Sequence, residues 1–258
     1  MNCALLYTTV SQHRSTRIPH QLALREPPRW GGRRRGAGRK SGPRPRIPHR
    51  SRTPEVGPRF PCHVTLKVRS EIPSLRTAKL VRELQRSFAK CCNRGDFRLV
   101  HYSLQRDHAH LLVEADDAAA LARGMKAIGA RLARAVHRVF RRSGSVLADR
   151  YHVRVLKTPL EVRRAIAYVL LNARRHAAAL GRKLRDGVDP ASSGAHFDGW
   201  KPGPKPGTWA GAERPPPVAA ARCWLLRVGW RRHGLVSRSE VPGVKTCAAG
   251  HTKPGRAS

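Results

Sequence analysis

The sequence predicts an α+β fold: a ferredoxin-like, split β-α-β antiparallel sheet, one further helix after its fourth strand, and disordered basic tails on either side. Three observations carry this. Strand and helix signatures follow one another as β-α-β-β-α-β-α between residues 61 and 181. The final helix opens on Thr158-Pro159-Leu160-Glu161, which supplies an N-cap, a proline at the first helical position and a capping-box glutamate. Outside that span the chain turns to Arg, Gly and Pro with little to bury, so residues 1–60 read as a tail, 182–222 as a Pro/Gly linker and 223–258 as a short C-terminal tail.

The first strand is Cys62 to Arg69, where His63, Thr65, Lys67 and Arg69 alternate with Val64, Leu66 and Val68. His63 reads as a surface residue near the end of that strand. Leu75 to Cys92 is a helix with Val81, Leu84, Phe88 and Cys91 as its apolar stripe, capped by Ser74 or Thr77. Asn93-Arg94-Gly95-Asp96 turns into a hairpin, Phe97–Gln105 and His108–Ala115, whose Leu111-Leu112-Val113 run marks a covered central strand. Asp116 or Asp117 caps a long helix to about Phe140, its core stripe Leu121, Met125, Ile128, Leu132, Val136 and Val139. Arg150 to Lys157 is the fourth strand. The last helix runs from Pro159 to Leu180 and stops at Gly181, with Tyr168 and Asn172 sharing a face at the edge of its buried stripe. Cys223 to Trp230 has the pattern of a short amphipathic helix that docks on the core or on a partner.

The charge balance is extreme: 52 Lys and Arg against 16 Asp and Glu, a net charge of +36. Such an excess points to a polyanion, and nucleic acid is the usual one. Lys126, Arg131 and Arg134 on the second helix, Arg164 and Arg175 on the last, and Arg39 and Lys40 in the Arg/Gly tail are the expected phosphate contacts. The six cysteines form no C-x-x-C pair, which fits a reduced compartment. No apolar run approaches membrane-spanning length and no secretory signal is evident, so a cytoplasmic, nucleoid-associated protein with no membrane partner is expected.

His108-Ala109-His110 opens the second strand of the hairpin. Residues two apart on a strand project to one side, so the two imidazoles converge. A helix laid across that side of the sheet brings Tyr168 and Asn172 beside them. Two imidazoles and one amide oxygen suit a divalent ion with open positions, and a tyrosine next to such a site can attack a phosphorus atom. Tyr151 is the competing nucleophile, placed second because no amide follows it at ligand spacing.

These residues resemble the single-tyrosine HUH transposases, and within them the REP-associated tyrosine transposases. The pieces that carry the resemblance are Cys62-His63-Val64-Thr65-Leu66, Asp107-His108-Ala109-His110-Leu111-Leu112-Val113, Gly144 through Tyr151, and Tyr168-Val169-Leu170-Leu171-Asn172, spanning roughly 60–175. The resemblance implies that the last helix is catalytic. Tyr168 is then the nucleophile, and His108, His110 and Asn172 hold Mg²⁺ or Mn²⁺. The substrate is single-stranded or hairpin DNA, cleaved and rejoined through a 5′-phosphotyrosine by a monomer or homodimer. Asp107 stands where the family usually has Asn, Ala173 where it usually has Pro, and a Trp common before the fourth strand is replaced around Leu147. An inactive or domesticated hairpin DNA- or RNA-binding protein is the alternative.

Overall fold

A computed structural model describes residues 55–182, 184, 187–203 and 215–243. Residues 1–54 of the expected tail, with Arg39 and Lys40, lie outside the described residues. The elements are β1 (Cys62–Lys67), α1 (Ala78–Ala89), β2 (Phe97–Leu104), β3 (His108–Ala115), α2 (Ala118–Phe140), β4 (His152–Val155), α3 (Pro159–Leu170), α4 (Asn172–Ala179) and α5 (Trp224–Arg227).

The sheet has the order β2-β3-β1-β4 and every pairing is antiparallel. This is the expected split β-α-β arrangement, with β3 in the interior of the sheet. Register then decides which side chains share a face. Thr65 lies opposite His110 and Lys67 opposite His108. Thr65 also faces His152 on β4, and Ser103 on β2 faces His110. The polar face of β1, the histidine pair and the polar side of β4 therefore lie on one side of the sheet.

The other side is the main core. Val64, Leu66, Tyr102, Leu111 and Val113 meet Leu80, Leu84 and Phe88 of α1 and Leu121, Met125, Ile128 and Leu132 of α2. Tyr151, Val153 and Val155 join this cluster, so Tyr151 points away from the histidines. Asp117 caps α2 by accepting from the Ala120 amide at 2.6 Å. Gly124 sits where a Cβ would fall 2.2 Å from the Phe97 ring. Alanine normally favours a helix over glycine by about 1 kcal/mol, but here overpacking opposes it. Gly124→Ala is expected to destabilise the fold by roughly 1–3 kcal/mol, read as a lowered urea midpoint at unchanged slope.

α3 covers the polar side of the sheet through Val162, Ile166 and Val169 against Val100 and Leu112. Val100 reaches this side because the β2–β3 register shifts between Leu99 and His101. The capping box at Thr158 is present as the sequence predicts: Thr158 Oγ1 accepts from the Glu161 amide at 3.2 Å, and Glu161 accepts from the Thr158 amide at 3.2 Å. The single helix expected from Pro159 to Leu180 is instead two, jointed at Leu171. The bonds Leu171 N–H to Ala167 O and Arg175 N–H to Leu171 O persist across the joint, so α4 continues α3 with a one-residue kink.

The described parts of the expected linker and C-terminal tail are folded against the domain. Arg76 donates twice to the Asp189 carboxylate, at 2.8 and 2.9 Å. Ser193 N–H donates to Tyr102 O on the edge strand β2. Glu114 accepts from the backbone amides of Arg222 and Cys223, anchoring α5 and the 3₁₀ turn Gly229–His233. That turn seats Trp230, 1 % exposed, against α3. Arg163 of α3 forms a bidentate pair with Glu240 at 2.5 and 2.7 Å. The amphipathic segment thus docks on its own core. Val56 and Phe60, placed in the N-terminal tail from sequence, also pack on the domain.

Candidate active site

The site is assembled from two strands and the jointed helix. β3 projects His108 and His110 from one face, with their Nε2 atoms 3.1 Å apart. β1 adds His63 and Thr65 beside them. Tyr168 on α3 lies edge-on to both rings, its centroid 5.0 Å from that of His110 and 5.7 Å from that of His63. His176 on α4 lies over His108, ring centroids 6.2 Å apart. Tyr168, Asn172 and His176 are four and eight residues apart, so Asn172 is placed between the other two.

Each histidine has a second contact that orients it. His108 Nδ1 lies 2.8 Å from Asp107 Oδ1. His110 Nδ1 lies 3.2 Å from Thr65 Oγ1 and 3.2 Å from His63 Nε2. In the tautomer that carries the proton on both Nδ1 atoms, the two Nε2 lone pairs face each other, and a shared cation would relieve their repulsion. Burial, followed by the neighbouring His63 and His108, pulls the His110 imidazole down to about 3. Burial and the Arg154 charge bring His63 down to about 4. Both rings are therefore neutral near pH 7, the form in which His110 can ligate a metal.

Asn172 is fully buried, yet neither Oδ1 nor Nδ2 has a hydrogen-bond partner. A buried amide stripped of water and left unpaired costs roughly 1–3 kcal/mol. Such an orphan is explained when a ligand supplies the missing contact. The spacing of the two Nε2 atoms also fits a metal ion. Bonds of about 2.1 Å at a right angle put ligand nitrogens about 3 Å apart. Among the described residues no group of three or more His, Cys, Asp or Glu side chains forms a metal cage. An ion here would rest on two imidazoles and the Asn172 amide oxygen.

Arg175 completes the surroundings of Tyr168. Its guanidinium lies 5.2 Å from the ring centroid, and Nη1 donates to Tyr168 Oη at 3.4 Å. A positive charge thus stands where the phenol oxygen and an incoming phosphate would meet. Arg164 is exposed one turn before Tyr168. The basic residues of α2 are elsewhere. Arg131 and Arg134 line a groove of about 240 Å³ between α1 and α2, on the opposite side of the sheet, and Lys126 is exposed on the same helix. The structure does not bring these three to the tyrosine.

Of the residues singled out from the sequence, Tyr168 lies against His110, and His110 against His108. His63 corrects the sequence reading, because α3 covers the face it projects from and makes it part of the cluster. Asn172, expected at the edge of the buried stripe, is fully buried. His176 was not singled out, although its spacing of four from Asn172 carries the signal. Tyr151 lies on the core side, where burial raises its pKa.

Residues 60–169 match the family model of IS200-like transposases. The match runs from the turn before β1 through Tyr168 and ends before Asn172, Arg175 and His176. Two solved structures are similar to this chain. One is a REP-associated tyrosine transposase bound to a REP hairpin, at 13 % identity and TM-score 0.41, covering 48 % of this chain and 72 % of that one. The other is a candidate transposase of Deinococcus radiodurans R1, at 14 % identity and TM-score 0.33, covering 53 % and 97 %. No curated protein matches the chain. Among the described residues no helix is long and apolar enough to cross a membrane.

Proposed function

We propose that this domain is a transposase domain that cleaves and rejoins single-stranded DNA through Tyr168, with His108, His110 and Asn172 holding a divalent ion. The observation that carries the reading is the converging histidine pair with Tyr168 against His110, followed one helical turn on by a buried Asn172 amide with both polar atoms unpartnered. Bound there, Mn²⁺ or Mg²⁺ supplies charge stabilisation to the scissile phosphate.

The chain's own groups account for the rest. Tyr168 Oη forms a bond to phosphorus as the P–O3′ bond breaks. The phenol proton passes to water and the departing 3′-oxygen takes a proton from water, so the step is balanced. Arg175 pairs with the phosphate as it arrives at the phenol. α3 is wedged between the sheet and the Trp230 segment, which fixes the position of the nucleophile. The phosphotyrosine retains the energy of the phosphodiester, and a 3′-hydroxyl attacking it restores a continuous strand. Arg164 and Arg175 hold the strand beside the site. Lys126, Arg131 and Arg134 contact DNA on the far side of the sheet, and Arg39 and Lys40 add contacts from the tail.

Incubation with a hairpin-bearing single strand and Mn²⁺ is expected to give a protein–DNA adduct that survives denaturing electrophoresis. Mg²⁺ should support the same product at a higher concentration, because it prefers oxygen donors and sheds water reluctantly. Tight, salt-sensitive binding with no adduct under either ion would leave a binding protein instead.

A further inference from the structure

His108 and His176 stand at one end of a cavity of about 330 Å³ between the β2–β3 turn and α4. Ala173, Ala177, Leu180 and Leu184 form its apolar wall, and the cations Arg106 and Arg182 and the Asp107 carboxylate are among the polar groups that line the rest. Two features make it receptive. Leu180 is 70 % exposed, the most exposed large apolar side chain among the described residues, and Leu184 is 45 % exposed. The remaining wall is preformed, because Arg76 is tied to Asp189 and to the Leu104 carbonyl, the latter at 2.9 Å. An apolar wall for a ring and cations for the flanking phosphates match an unstacked nucleotide of single-stranded DNA.

The helix sets the direction. Tyr168 lies over His110 and His63, and His176 lies over His108. Eight helical residues span about 12 Å, so tyrosine, histidine pair, His176 and cavity follow one another along α3 and α4. In a displacement at phosphorus the attacking and leaving oxygens are on opposite sides. The oxygen opposite Tyr168 therefore departs toward His108 and the cavity. If Tyr168 is the nucleophile, as proposed above, that oxygen is O3′ of the nucleotide on the 5′ side of the cleaved bond.

We propose that the cavity between the β2–β3 turn and α4 is a subsite for the base of the nucleotide that leaves with the 3′-hydroxyl. The inference rests on the tyrosine reading for its polarity. Leu180 stacks on the base, and Ala177, small and at the floor, sets the size that fits.

The test combines an abasic scan with one cavity variant. Removing the base just 5′ of the mapped cleavage position is expected to raise the half-saturating DNA concentration for adduct formation about 10-fold, the scale of one lost base stack. Removing the base just 3′ should change it less than about twofold on the same scale. Leu180→Ala, a solvent-exposed change, should bind intact DNA more weakly and show no further penalty for the missing 5′ base. An equal penalty in parent and variant, or a larger one on the 3′ side, overturns the subsite. A second readout does not depend on cleavage. In the Tyr168→Phe protein, 2-aminopurine placed at successive positions should change fluorescence on binding at one position, and Leu180→Ala should remove that change. No Leu180-dependent position contradicts the subsite, whereas absence of adduct with a positive scan contradicts only the tyrosine chemistry.

Discussion

Tyr168→Phe is expected to abolish the covalent protein–DNA product, lowering its rate of formation on the order of 10⁴-fold or more, as loss of a nucleophile does. The substitution is clean. Phenylalanine keeps the ring that packs against His110 and His63 and the face that Arg175 covers. It removes one oxygen, and that oxygen's protein contact is the 3.4 Å bond from Arg175. Stability and DNA affinity should stay within a factor of about two of the parent, since exposed side-chain hydrogen bonds contribute little. Tyr151→Phe should leave adduct formation nearly unchanged. Tyr151 belongs to the core side of the sheet with Val153 and Val155, and burial raises its pKa, so it neither faces the histidines nor ionises readily. Band-shift on denaturing gels against time gives both rates. A Tyr168→Phe protein that still forms adduct would end the assignment.

Asn172→Leu is expected to do two opposite things. Without metal the variant should be more stable than the parent, by roughly 1–3 kcal/mol, because a buried amide with both polar atoms unpaired is replaced by an apolar group of similar size. In the unfolded chain the asparagine is hydrated, so folding strips contacts that the structure does not return. Leucine has none to lose. Adduct formation should fall by at least about 100-fold, since an oriented ligand to the ion is gone. Mn²⁺ should raise the melting temperature of the parent and have little effect on the variant. A calorimetric scan with and without Mn²⁺ reads both effects without any cleavage assay. Equal stabilisation by Mn²⁺ in both proteins would remove Asn172 from the site and leave its orphaned amide unexplained.

What the sequence revealed was mostly local. The capping box at Thr158, the cap at Asp117 and the alternation along β1 are short-range patterns, and each is present in the fold. Tyr168 and Asn172 could be paired because four residues return a helix to the same face. The role of His63 needed two non-local facts, the β1–β3 register and the helix laid over that face. Alternation alone placed it on the polar side, where solvent is the ordinary neighbour. The Pro/Gly-rich stretch after α4 hid its packing for a similar reason. Its buried groups are scattered, among them Ser192, Ser193, Phe197 and Val218, with no period to betray them. The pair Arg76–Asp189 joins residues 113 apart, a contact that no spacing rule reaches. The joint at Leu171 was equally invisible, since neither glycine nor proline marks it.

The proposed chemistry joins Tyr168 to a 5′-phosphate. Mass spectrometry of the trapped adduct tests it most directly. After nuclease trimming, cleavage after arginine leaves residues 165–174, Ala-Ile-Ala-Tyr-Val-Leu-Leu-Asn-Ala-Arg, in which Tyr168 is the single tyrosine. Tyr151 falls in the separate fragment 151–154, Tyr-His-Val-Arg. The expected result is a deoxynucleotide 5′-phosphate on residues 165–174, with a free 3′-hydroxyl on the released strand. A nucleotide on residues 151–154, or a linkage through a 3′-phosphate, contradicts the account.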